Sequence, residues 1–272
     1  MTGRTGDETW KASPATGHAR RLGLALAGAL GFLSRLPVGR SRDAWDAFGA
    51  APVAFPLAGY LVGALVAVPV SVGATLALPA PTLALLYLLA LVLVTGVNHA
   101  DGVADLGDAA VVHGDSEERR RVLKDTTVGV GAVLALGTVL VGLALAGLAL
   151  AALPALTLAA VVVASEVGAK LSMAAIACLG EATHDGLGAA FTRRADPSLL
   201  LGPAVAALPA CLLVLPSPAA GVAVVGGLAG GLAVLWWARR ALGGVNGDVF
   251  GAANEVGRVC ALHAGVVAWT LW

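Results

Sequence analysis

"VGVGAVLALGTVLVGLALAGLALAALPALTLAAVVVAS", residues 128–165, contains no acidic, basic or histidine side chain. The same holds between Ala47 and His99 and between Pro197 and Ala238. Each silent stretch runs roughly 30–50 residues, too long for one bilayer crossing of about 20 and right for two. Proline interrupts each near its middle, at Pro79 and Pro81, at Pro154, and at Pro216 and Pro218. Proline stops a helix because it lacks the N–H and clashes with the preceding turn. The pattern predicts three helical hairpins: 52–78 with 82–97, 129–151 with 155–179, and 199–215 with 219–238.

Composition agrees. Of 272 residues, 58% are hydrophobic and 12% charged, where a soluble domain carries about 25% charged residues. So little polar surface cannot cover a water-facing globule. The fold class expected is an all-α polytopic membrane protein of six to eight transmembrane helices arranged as hairpins. Two shorter segments, 22–36 and 259–272, are each a full span, a re-entrant helix or an interfacial one. Formal net charge is zero, so nothing favours nucleic acid. Cys178, Cys211 and Cys260 lie far apart without metal or disulfide spacing and read as packing residues. Residues 1–20 are polar and read as a disordered cytoplasmic tail, leaving 21–272 as a single transmembrane catalytic domain. Arg20-Arg21 before "LGLALAGALGFL" lacks a convincing cleavage site, so that segment reads as an uncleaved first helix.

All charged segments fall on one side of this topology: 37–50, 98–128, 180–198 and 239–258. They hold "GRSR", "ERRRVLK", "TRR" and "ARR", and arginine and lysine concentrate on the cytoplasmic side. The chain is therefore expected in the cell membrane with its polar loops inside. A transporter needs polar groups near the midplane; chemistry gathered at one surface suits a membrane enzyme with a soluble substrate.

Within those loops, "NHADGVADLGDAA" (98–110) places Asp101, Asp105 and Asp108 at i, i+4 and i+7, one row on a helix. Like charges so stacked repel. Carboxylate-only ligands suit Mg²⁺ or Mn²⁺, and Mg²⁺ bridges a few carboxylates to substrate phosphates. His99, just before the row, is positioned to orient a phosphate or transfer a proton. In "GGVNGDVFGAANE" (243–255) a glycine turn leads through Asn246 and Asp248 into a helix carrying Glu255 on the face of Asp248. A glycine turn at a helix start suits a phosphate; capping explains Asn246 or Asp248 equally well. Asp248 is expected to join the metal ligands. Lys124 and Asp125, His184, and the pair Glu166 and Lys170 inside an apolar helix complete the candidate substrate contacts. Ionisable groups at membrane depth are costly and usually functional, so a polar cavity is expected to reach down to that pair. "DSEERRR" (115–121) reads as a solvated face.

These motifs resemble, in order, those of the cobalamin 5′-phosphate synthase family. "FLSRLPVGR" (32–40), "AFPLAGYLVGAL" (54–65), "TGVNHADGVADLGDA" (95–109), "KDTTVGVGA" (124–132) and "GGVNGDVFGAANE" (243–255) are similar to its signatures. The likeness spans about residues 22–272. It implies a multi-pass, Mg²⁺-dependent transferase that joins α-ribazole or its 5′-phosphate to adenosylcobinamide-GDP with release of GMP. It assigns motif positions to His99, Asp101, Asp105, Asp108, Asp248 and Glu255. Val97 stands where the family usually has glycine, Asn246 where it has threonine, Thr127 where it has arginine, and Glu166 where arginine is common. The nearest rival, a CDP-alcohol-type phosphotransferase, is disfavoured because "DGVADLGD" lacks the alanine-arginine that follows its first aspartate-glycine. A transporter fits the composition but not the one-sided charge. The implied partners are the two small-molecule substrates and the bilayer. Abundant glycine also permits close packing between chains, and so a homo-oligomer.

Overall fold

The structure, a computed structural model, describes residues 14–125 and 127–272. The described chain is built of helices: α1 (Pro14–Leu33), α2 (Arg42–Gly49), α3 (Ala54–Thr75), α4 (Ala80–Thr95), α5 (Asn98–Val111), α6 (Ser116–Val122), α7 (Val130–Leu150), α8 (Ala155–Leu179), α9 (Leu187–Thr192), α10 (Leu201–Cys211), α11 (Ala219–Ala241) and α12 (Gly247–Leu271). The expected tail over 1–20 lies outside the described residues as far as position 13; Pro14–Arg20 is the beginning of α1.

Proline places the far-side turns as expected. Pro79 and Pro154 precede the first residues of α4 and α8, and Pro218 precedes α11. Polar caps place the near-side starts. Ser41 accepts from the Ala44 amide at α2, Asp115 from Glu117 and Glu118 at α6, and Asn246 from Val249 at α12.

Four helices are long and apolar enough to cross a bilayer: α3, α7, α8 and α11. The count becomes five if α4 and α5, bent by 99° at their junction, are taken as one broken span. The expected six to eight is not reached on these criteria. Two of the counted segments fall short for physical reasons. α4 is 16 residues, about 24 Å at 1.5 Å per residue, and α10 is 11 residues. The expected last segment, 259–272, is the latter half of α12, which starts at the polar turn and carries Asp248, Glu255 and Arg258.

The predicted pairing of 129–151 with 155–179 is corrected. α8 is the central helix, packed against α3, α11 and α12, while α7 packs against α4, α5 and α12. α8 is 94% buried over its most apolar window and α7 only 22%. Small side chains are as frequent in α7 as in α8. But α8 also carries Glu166 and Lys170, whose charges find partners only inside the bundle, on α12, whereas α7 has no charged group and turns Leu134, Leu140, Val141 and Leu145 outward. Register confirms the layout. Gly59 of α3 lies against Val167 and Gly63 against Val163, so α3 and α8 are antiparallel. Gly168 and Ser172 of α8 meet Gly227 and Gly231 of α11 in parallel. At Gly227 the approach is backbone to backbone: a Cβ there would stand 2.7 Å from the Gly168 carbonyl carbon.

This layout brings the starts of α3, α7 and α12 and the ends of α4, α8 and α11 to one end of the bundle, with the charged loops. Arginines fasten those loops to helix ends. Arg119 donates to the Ala109 carbonyl of α5 at 2.7 Å, Arg120 to Leu242 just past α11 at 2.6 Å, and Arg239 to Leu179 of α8. Each guanidinium satisfies a carbonyl left unpaired at a helix C-terminus and meets the negative end of its dipole. "DSEERRR" is thus only partly the solvated face expected. At the same end all five phenylalanines (32, 48, 55, 191 and 250) join with Trp45 into one aromatic cluster, which reaches His99 through Phe32.

Candidate active site

α5 supplies the acidic row. Gly96, at φ 75°, lets the chain leave α4 and turn by 99°, so α5 runs across the polar end of the bundle instead of continuing α4. Val103, Leu106 and Ala109 face the core. The carboxylates of Asp101 and Asp105 are left towards the first turn of α12. The two helices touch at Gly102, where a Cβ would stand 2.6 Å from the Asp248 carbonyl oxygen; only a residue without a side chain allows this crossing.

The crossing gathers Asp101, Asp105 and Asp248. Burial first, then the charges of Asp248, Asp101 and Asp108, push the Asp105 carboxyl up to about 6. Asp248 is likewise raised, chiefly by burial, against the lowering effect of a hydrogen bond from Asn246 Nδ2 at 2.6 Å. Asn246 is fully engaged, its Oδ1 capping α12 and its amide nitrogen steering Asp248. Among the described residues no three carboxylate, imidazole or thiol groups form a ready-made metal cage. The donor set fits a hard cation that shares its remaining ligands with phosphate and water, rather than one enclosed by protein.

Asp108 of the expected ligand row also has a structural task. Its Oδ2 accepts from the Gly129 amide at 2.8 Å and its Oδ1 from the Ala132 amide at 2.9 Å, so it caps α7 with one lone pair of each oxygen. Asp108→Ala is expected to cost about 0.5–2 kcal/mol of stability, as other lost caps do, and to reduce turnover far less than Asp105→Ala. Melting and initial rates measured side by side check this.

Two further loops converge on Asp248. The backbones of Glu181, Thr183 and Val245 exchange hydrogen bonds at 2.8 and 3.1 Å, which clips the 180–186 loop to the glycine turn. His184 thereby joins Lys124, Asn246 and Asp248 around a polar cavity of about 250 Å³, together with Arg120 and Thr183. A second cavity of about 290 Å³, on the other side of Asp248, is lined by His99, Asn98, Gly251 and Phe250. Asp125 joins neither. Its carboxylate holds the Thr127 amide and hydroxyl in a local turn.

The polar cavity expected at Glu166 and Lys170 is replaced by a closed ion network. Glu166 and Lys170 are 1% and 0% exposed. Lys170 donates to Glu166; Arg258 donates to both Glu166 and Glu255. Asn254 accepts from Lys170 at 3.1 Å and donates at 3.0 Å to Glu255. Glu255, expected on the face of Asp248, is instead buried in this network, 3.7 Å from His99 Nδ1, because the seven residues between them, two helical turns of α12, carry it beneath the cavity floor. Burial, opposed by Glu255, holds the His99 imidazole down at about 4. Sequence reading missed Arg258, Asn254 and Arg120. Arg258 carried a signal, a lone cation in an apolar helix three residues after Glu255; Arg120 stands four before Lys124, on the same face of α6 and its following turn.

A family model described as cobalamin-5-phosphate synthase matches residues 25–266. The chain belongs to the cobalamin-5-phosphate synthase family. A relative from Halorubrum lacusprofundi, named adenosylcobinamide-GDP ribazoletransferase, is 52% identical over 255 residues, covering 90% of this chain and 98% of the relative. One of the same name from Haloquadratum walsbyi is 49% identical over 254 residues, covering 91% and 98%. Another, from Xanthobacter autotrophicus, is 33% identical over 246 residues, covering 87% and 93%. No solved structure matches the chain. As a cobalamin-5-phosphate synthase family member, the chain has both of its acidic motif segments within the matched span.

Proposed function

We infer that this chain is an adenosylcobinamide-GDP ribazoletransferase. It joins α-ribazole or its 5′-phosphate to adenosylcobinamide-GDP and releases GMP. The observation that carries the reading is the meeting of Asp101 and Asp105 with Asp248, from two distant motifs, in a chain 52% identical to a relative of that name.

In this reaction a ribazole hydroxyl attacks the phosphorus on the cobinamide side of the diphosphate. The new P–O bond forms as the bond to GMP breaks, and the hydroxyl proton is released. Negative charge grows on the departing phosphate, so catalysis is alignment plus electrostatics. Asp101, Asp105 and Asp248 would hold Mg²⁺, or Mn²⁺ in its place, which supplies the charge that neutralises the diphosphate. Asn246 fixes the orientation of Asp248. Lys124, Arg120 and His184 surround the polar cavity beside it and are placed to bind the nucleotide phosphate. Asp108 secures the row by capping α7. Glu166, Lys170 and Glu255 support the floor of the site.

The charged end of the bundle faces the cytoplasm of the cell membrane, a reading supported by the concentration of lysine and arginine there. This is also where a water-soluble nucleotide substrate arrives. The test is GMP release by purified protein in lipid vesicles or nanodiscs. GMP should appear only when adenosylcobinamide-GDP, α-ribazole or its phosphate, and a divalent cation are all present, and a chelator should stop it. Unchanged release with chelator would remove the metal; no release under any condition would reject the activity.

A further inference from the structure

The ion network beneath the site fixes more than charge. Lys170 Nζ is an ammonium and can only donate, so the Asn254 atom 3.1 Å from it is the amide oxygen. On the other side, Asn254 Nδ2 stands 3.0 Å from Glu255 Oε1, a carboxylate that can only accept. Turning the amide over would set N–H against ammonium and oxygen against carboxylate. Its orientation is therefore determined by both neighbours.

The same Nδ2 stands 3.0 Å from His99 Nδ1. An amide nitrogen donates and does not accept, so His99 Nδ1 is the acceptor and must be unprotonated. A neutral imidazole then carries its proton on Nε2. That nitrogen has no hydrogen-bond partner among the described residues. It is not among the enclosed, unpaired polar atoms either, where the Tyr87 hydroxyl alone is found among the described residues. The side chain is 9% exposed and lines the cavity next to Asp248. A protonated ring would place two N–H groups against each other at Nδ1.

We propose that Lys170 and Asn254 lock His99 as the Nε2–H tautomer, making it a neutral hydrogen-bond donor to a phosphate oxygen of the substrate and not the general base. This rests on the transferase reading above. His99 is then a catalytic residue. Asn254 and Lys170 are positioning residues that act only through it. Glu166, Arg258 and Glu255 balance the charge that holds Asn254 in place. The hydroxyl proton must go to a carboxylate of the acidic cluster or to water, because His99 has no free lone pair facing the cavity. The proposal also gives the buried ion network a use: it selects one of two tautomers.

Two measurements test this. Protein with ¹⁵N-labelled histidine in nanodiscs contains five imidazoles, and the signal lost in His99→Gln identifies position 99. Its Nδ1 should be the unprotonated nitrogen and its Nε2 the protonated one. In Asn254→Asp the new carboxylate accepts from Nδ1–H, and the pattern should reverse. In GMP release, His99→Gln, whose side-chain amide also offers an N–H, should stay within about tenfold of the parent kcat. His99→Ala and Asn254→Asp should each lose about 10²–10³, the usual loss for one transition-state donor, with KM little changed. An Nδ1-protonated or doubly protonated His99 in the parent protein overturns the proposal. So does folded His99→Gln as inactive as His99→Ala. Should Asn254→Asp not fold, the parent spectrum and the His99 pair decide. A parent that releases no GMP overturns the transferase reading, and with it the phosphate as the partner of His99; the spectrum then decides the tautomer alone.

Discussion

Asp105→Ala is expected to lower GMP release by about 10³-fold while leaving the protein folded, and Asp248→Ala to do the same. The size follows from the role. A cation at a developing phosphate charge is worth several kcal/mol, and each 1.36 kcal/mol is about tenfold in rate. Folding survives because these carboxylates carry no structural load comparable to that of Asp108. Asp105 sits among like charges, and burial with those charges raises its carboxyl to about 6. A carboxylate raised in the folded state destabilises that state at pH above its folded value, so removing it leaves stability unchanged or improved. The signature is therefore a lost rate with a melting temperature no lower than the parent's at pH 7. Near-normal rates in both variants would remove the acidic crossing from the mechanism. Unfolding would show that the side chains support the fold.

The second large effect is expected in stability. Arg258→Met removes the one guanidinium that bridges Glu166 and Glu255, both buried. Breaking a buried pair from one side leaves uncompensated charge and costs about 3–5 kcal/mol, a large part of the stability of most folded proteins. Arg258→Met should therefore melt far below the parent in detergent or fail to accumulate. Adding Glu255→Gln to Arg258→Met should recover part of the loss, since Glu255 is the carboxylate left without its cation while Lys170 still pairs with Glu166. An Arg258→Met protein that melts with the parent would mean that the network contributes nothing to folding.

What was legible in the sequence follows from the range over which each signal acts. Charge silence broken by Pro79, Pro154 and Pro218 located three turns because proline's effect is local. The acidic row was legible because helical spacing alone aligns 101, 105 and 108. The separation of α7 from α8 was not legible. Both are long and largely apolar, and although Glu166 and Lys170 mark α8 for burial, which helices enclose it depends on whether its small side chains find partners on α3 and α11. The capping role of Asp108 was hidden for a related reason: its partners are the backbone amides of Gly129 and Ala132, which have no residue identity to read. Glu166 and Lys170 were recognised as a pair at i and i+4. Their third partner, Arg258, lies 92 residues away, so what looked like a cavity lining was a closed network.

The aromatic cluster has a practical consequence. Every phenylalanine of the chain belongs to it, and one of them touches the ring of His99. Incorporating fluorinated phenylalanine would therefore label a single neighbourhood, with the lipid-facing shell spectroscopically silent. Five resonances would report docking of either substrate from directly under the reacting groups, in a membrane protein whose size would crowd most other spectra.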